Sequence, residues 1–335
     1  MKKVVAMLMI AVLMASMLVA CGQKEETKSI EEIKRTYSNA ELANTSVESN
    51  GFYGKVIKEF LADTEGNMVF SPVNVYMAIN MLWDVADEGM KPELLELFEM
   101  EDQESCSLKA AAILQKVNRD EEKVKSILNN SIETIDGSVA LVSSIEFAAK
   151  WEEPFFNPFK EEFYGVAGTT ECQFVTQSYA REYYQGKNFS AIAQELHESG
   201  NVWYILPKEG VSIDELVKDD EAIAFMLSDG QWENKKKCMV SLKMPLFSVE
   251  TSMDYKDKIH KLGITDNHII EKAELNAKVE IDEKGVKGLE YNVIYTMGVE
   301  LIDEREDFIM NRPFMFCVTS EDGIPLFAGV IRNIN

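Results

Sequence analysis

FIMNRPFMFCV, residues 308–318, joins one apolar segment to the next through Asn311, Arg312 and Pro313. Residues 315–318 read as a strand, Asp322-Gly323 as a turn, and residues 326–331 as the returning strand of a hairpin. Working back from there, the β-type pattern recurs at residues 139–147, 172–175, 203–206, 239–249, 277–282 and 291–296. The first third reads differently. Residues 52–60 carry apolar side chains at helical spacing, and 67–70 form a short strand entering Ser71-Pro72. Ser71 suits a helix cap and Pro72 a first turn, so 73–85 is expected to be a buried helix. Helices are also expected at 92–98, 108–117 and 121–128. Helices first and strands later describe a mixed α+β domain.

The N-terminus carries a different signal. Lys2 and Lys3 precede an uncharged apolar run ending in Leu18-Val19-Ala20-Cys21-Gly22. A basic start, an apolar run and small residues before a cleavage point make a secretory leader over residues 1–20. It is short for a bilayer span and lacks a basic stop-transfer flank. Cysteine directly after the small residues resembles the lipobox of bacterial lipoproteins, in which Cys21 takes the lipid. Residues 21–50 then read as a polar tether, and 51–335 as one domain, with no linker or internal repeat. This places the chain on the outer face of the cell membrane, extracellular or periplasmic, as an expected monomer.

Charge and missing motifs narrow the function. The 34 basic and 57 acidic residues give a net charge of −23, and losing Lys2 and Lys3 with the leader makes it −25. Such a surface repels nucleic acid and anionic headgroups, so membrane contact would come from the lipid on Cys21. Cys106, Cys172, Cys238 and Cys317 are far apart without a C-x-x-C pair, and either disulfides or buried free thiols fit. His197, His260 and His268 sit in no H-E-x-x-H motif, and G-x-S-x-G, Walker and G-x-G-x-x-G patterns are absent. Acidic pairs such as Glu152-Glu153 and Asp219-Asp220 read as acidic surface. No cofactor, no metal and no catalytic residue is expected.

Five stretches then share a family likeness: NMVFSPVNVYMAINML, KWEEPF, VWYILPKEG, SLKMPLFSVETSMDYKDKIHKLGITD and FIMNRPFMFCV. They resemble serpin segments and stand in serpin order, and the last fits the family signature around Asn311, Arg312, Pro313 and Phe314. The likeness runs from about Gly51 to the end. It implies a single α+β domain with N-terminal helices, large mixed or antiparallel sheets and an exposed reactive-centre-type loop. Between Leu97 and Leu141 the chain is shorter than the family pattern, so two edge strands of the large sheet and the helices on it are expected to be shortened or absent. Ser143 stands where the family has asparagine, and Asn74 where it has a second serine.

The likeness also gives a role to EIDEKGVKGLEY, residues 280–291, as the hinge of the reactive loop, with Glu283, Gly285, Val286, Gly288 and Glu290 as its key residues. A protease cuts the loop, which then adds to the large sheet as a strand and disables the acyl-enzyme. Alternate hinge side chains must enter the core, and they fall on Val286, Gly288, Glu290 and Asn292. A carboxylate at Glu290 would cost several kcal/mol there, and Leu289 and Tyr291 are bulkier than inhibitory members use. The scissile bond is expected among Met297, Gly298, Val299, Glu300, Leu301 and Ile302. The resemblance thus implies an inhibitor of an extracellular serine or cysteine protease. The alternative is a serpin-like binding or scaffold lipoprotein that does not inhibit.

Overall fold

The structure, a computed structural model, describes residues 26–29, 37–62, 64–120, 124–135, 138–153, 155–265, 269–286 and 303–334. Its first elements lie inside the segment read as a tether. β1 (Glu26–Ser29) is a four-residue strand, and α1 (Asn39–Asn44) begins at a capping box formed by Ser38 and Glu41. Leu42 of α1 is buried against Ala111 and Ala112. Part of residues 21–50 therefore belongs to the fold, because one leucine on a capped turn finds an alanine face that a window average of polarity conceals.

α2 (Asn50–Leu61) buries Phe52, Tyr53, Val56, Ile57, Phe60 and Leu61 along one face. β2 (Met68–Phe70) enters α3 (Pro72–Asn80), where the Ser71 hydroxyl accepts from the Asn74 N–H and Pro72 fills the first turn. All nine residues of α3 are buried. It ends at Asn80 and passes into a 3-10 turn, Met81–Asp84, short of the expected continuous helix. α4 (Met90–Phe98) stops at Glu99 in a left-handed conformation, and Asp102 caps α5 (Gln103–Val117).

Strands follow: β3 (Arg119–Asp120), β4 (Val124–Ile135) and β5 (Ser138–Lys150). The helix expected at 121–128 does not form over 124–128, which belongs to β4. Ser126, Leu128, Asn130 and Ile132 are buried at a spacing of two, and β4 pairs with β5 along its whole length. A charged window with helical propensity yields to twelve residues of strand pairing. Against the expected shortening of the edge strands, β4 runs for twelve residues, while its outer edge carries only the short β1 and β3.

The remaining strands are β6 (Phe156–Gly165), β7 (Gly168–Gln185), β8 (Phe189–Glu195) and β9 (Asn201–Pro207), followed by α6 (Ile213–Leu216) and α7 (Asp220–Met226). After them come β10 (Lys235–Pro245), β11 (Phe247–Asp254), α8 (Lys256–Lys261), β12 (Ile270–Ile281), β13 (Gly285–Val286), β14 (Arg305–Ile309), β15 (Phe314–Thr319) and β16 (Pro325–Ile331). One sheet has the order β1-β4-β5-β13-β12-β11, with β3 also on β4. The other runs β14-β10-β7-β8-β9-β15-β16-β2, with β6 on β7. α3 lies between them, against β4, β5 and β16. In β12 buried residues alternate with polar ones, whereas β15 and β16 are buried at every position. Cys106, Cys238 and Cys317 are buried free thiols and Cys172 a half-buried one; burial pushes the Cys106 thiol up to about 11.

Candidate functional site

The site is the place where β5 and β12 part. These strands run parallel and pair directly from Val139 and Ile270 to Ser144 and Asn276. Beyond that point β13 lies between them, antiparallel to both: Gly285 opposite Lys150, and Val286 opposite Ala149 on one side and Ile281 on the other. The turn from β12 into β13 is organised by Asp282. Its carboxylate accepts from the backbone N–H groups of Lys284 at 2.7 Å and Gly285 at 2.9 Å. Trp151, buried, locks the same turn, its indole N–H donating to the Asp282 carbonyl at 2.9 Å and its backbone N–H to the Lys284 carbonyl at 3.0 Å. Glu283 takes part through its carbonyl, which accepts from the Phe155 N–H at 3.0 Å.

Gly285 has no substitute in this geometry. A Cβ there would stand 2.3 Å from the Ala149 carbonyl oxygen and 2.7 Å from the Lys150 Cα, at a φ of 155°. The Val286 side chain points into the core and is 1% exposed. Gly285 and Val286 thus form a short strand seated between β5 and β12 beyond the end of their direct pairing.

Beside this strand sits a group of charges that the sequence did not single out. The His197 N–H donates to the Lys150 carbonyl at 2.8 Å, and its ring meets the Glu152 carboxylate. Glu153 is held above the usual carboxylate range, first by burial and then by the negative charges of Glu152 and Glu195. Adjacency in sequence marked Glu152 and Glu153 as ordinary acidic surface; the end of β5 brings them beside the turn into β13.

Lower down, a polar cluster lies on the β4 side of β5. The Asn130 amide donates to the Ser143 hydroxyl at 3.0 Å and to the Asn74 carbonyl at 3.1 Å. Ser143 and Asn74 are the two departures noted in the sequence, and the amide between them comes from β4, a neighbour that spacing alone does not reveal. Across the seam Ser143 faces Leu275 of β12, so the two Asn130 bonds tie β5 to β4 and α3 and not to β12.

Asn311, Arg312, Pro313 and Phe314 build the crossing from β14 to β15. The Asn311 carbonyl accepts from the Tyr164 N–H, Arg312 donates to the Pro207 carbonyl at 2.9 Å, and Phe314 is fully buried against Phe163, Tyr204 and Phe247. Burial holds the Arg312 guanidinium below its ordinary pKa. Their role is packing. Gly288, Glu290, Cys21 and the candidate bond from Met297 to Ile302 lie outside the described residues.

The family model for serpins, serine protease inhibitors, matches residues 117–334. The chain belongs to the serpin family. Human Serpin B4 is 24% identical over 220 residues, covering 59% of this chain and 56% of its own length. The bovine plasma serine protease inhibitor is 26% identical over 234 residues, or 63% and 56% of the two chains. This serpin thus spans a little over half the length of the curated relatives it matches. Among solved structures, the thermophilic serpin tengpin in its native state superposes with a TM-score of 0.74 at 17% identity, over 89% of this chain and 95% of tengpin. Thyroxine-binding globulin in complex with thyroxine reaches 0.68 at 16% identity, over 86% and 99%. These likenesses establish the fold, a single α+β serpin domain.

Proposed function

We propose that this serpin is a lipid-anchored inhibitor on the outer face of the cell membrane. It would act on an extracellular serine or cysteine protease by loop cleavage and insertion, and would not itself be an enzyme. The observation that carries the reading is the seating of Gly285 and Val286 between β5 and β12. A loop that begins inside the sheet needs only to continue in the same register. Each further residue would gain two strand neighbours while β5 and β12 exchange their direct pairing for pairing to the loop. Lipidation at Cys21 rests on the leader and its lipobox alone.

One feature favours the second reading, a serpin that binds or scaffolds without inhibiting. Continued in register, Glu290 would fall opposite Ile145 of β5 and Ala277 of β12, on the face that buries Val286. A carboxylate there costs several kcal/mol unless it is protonated or paired, and slow insertion lets the protease deacylate first. The test is incubation of the chain from Glu25 onward with elastase-like, trypsin-like and subtilisin-like proteases, read by denaturing gel and intact mass. A detergent-stable covalent adduct supports inhibition, and its mass locates the bond within 297–302. Clean cutting without adduct or gain in melting temperature supports the second reading. Glu290→Ala sharpens the choice: it raises the ratio of adduct to cut chain in an inhibitor and leaves a scaffold unchanged.

A further inference from the structure

The N-terminal strand bears on how the anchored molecule stands. β1 runs antiparallel to β4, with Glu26 opposite Thr134 and Ser29 opposite Ser131. The end of β1 nearer Cys21 therefore lies beside the turn that joins β4 to β5. That turn is at one end of β5, and the hinge is at the other, where Lys150 pairs with Gly285. At about 3.3 Å per residue, the thirteen residues of β5 separate turn from hinge by about 40 Å. From Cys21 to Glu26 the chain is five residues, which reach about 17 Å at full extension.

From this we infer that the lipid-anchored protein stands with the β4–β5 turn toward the membrane and the hinge at the pole away from it. The inference rests on lipidation of Cys21. With a reach shorter than half the height of the sheet, the anchor cannot let the molecule lie hinge-down while β1 stays paired. The partner it fits is a protease whose active site meets the loop well above the bilayer surface, either soluble or raised on its own stalk. A protease working within the headgroup layer does not reach this pole. Without β1, the first element tied to the fold would be α1 at Asn39, eighteen residues from the cysteine. A flexible chain of that length reaches some 60 Å when extended, enough for any orientation.

The test uses the full, acylated chain in phosphatidylcholine vesicles carrying a few headgroup-labelled acceptor lipids. Donor fluorophores are attached through Glu271→Cys, near the start of β12, or Lys284→Cys, in the turn that follows its other end, both exposed positions, in a Cys172→Ser background. Energy transfer from the first position is expected to exceed that from the second by roughly threefold or more, given the difference in height. Thr27→Pro with Lys28→Pro removes strand donors from β1 and is expected to bring the ratio close to one without loss of the folded domain. Equal or inverted transfer from a chain whose intact mass shows the lipid overturns the orientation and leaves the anchor standing. An unmodified Cys21 overturns the anchor reading and the orientation with it. A ratio unmoved by the two prolines overturns the part assigned to β1.

Discussion

The two sheets treat water differently. β15 and β16 are buried at all thirteen of their positions, and β9 at six of seven, so that sheet is covered on both faces there. β12 alternates, with Ile270, Ala273, Leu275, Ala277, Val279 and Ile281 inside and Glu274, Asn276, Lys278 and Glu280 outside. No described helix lies between β4 and β5, which are joined directly across residues 136–137. The outer face of the large sheet is accordingly polar, with Ser144 and Glu146 exposed and Val142 37% exposed. A sheet buried on both faces holds its strands by packing from two sides, so parting any pair opens two dry interfaces. In the large sheet the β5–β12 seam is dry on one face only, and β13 is seated where the direct pairing of that seam ends.

The contrast can be broken most forcefully in the covered sheet. Phe314→Ala removes a ring packed against Phe163, Tyr204 and Phe247 and is expected to cost about 3–5 kcal/mol. A denaturant midpoint close to that of the unaltered chain would show that the covered sheet is not the stable half. In β13, Gly285→Val forces a side chain against Ala149 and Lys150 and is expected to cost about 1–3 kcal/mol. The loss should be local, read as faster hydrogen exchange at the Trp151 amide while amides of β15 stay protected.

A smaller effect is expected from Glu153→Gln, and its sign follows from the raised pKa of this residue. In the folded chain Glu153 holds its proton to a higher pH than it does unfolded. Stability is therefore lost as pH rises from the unfolded value through the folded one. The glutamine variant lacks that loss, so its melting temperature should gain on the parent from acid to neutral pH, and a gain that shrinks over that range would contradict the assignment. Val142→Ala, on the wet face, should stay within about 0.5 kcal/mol. Denaturation showing a much larger cost would mean that this face is covered.

Much of the fold was legible where a pattern is local. The capped start of α3 is written in Ser71-Pro72, the final hairpin in Asp322-Gly323, and the crossing into β15 in residues 308–318. Likeness to serpins drew attention to Glu283, Gly285 and Val286, but their pairing with β5 and β12 was not legible in the sequence. What failed was the window 121–128, whose charges suit a helix as well as an exposed strand edge, and the segment 21–50, whose average polarity hid Leu42. Asn130 escaped because a polar residue in a strand looks the same whether it faces water or a buried serine.

By itself the amino-acid order settled which side chains avoid water, at what period, and which turns and caps interrupt them, since each of these is a property of neighbours along the chain. It carried the serpin signature for the same reason. The split between β5 and β12, the amide reaching from β4 to Ser143, the gathering of Glu152, Glu153 and His197 beside the end of β5, and the docking of β1 on β4 came only with the folded chain. Each joins residues distant in sequence, and such pairings depend on register and packing between strands, which local patterns do not encode.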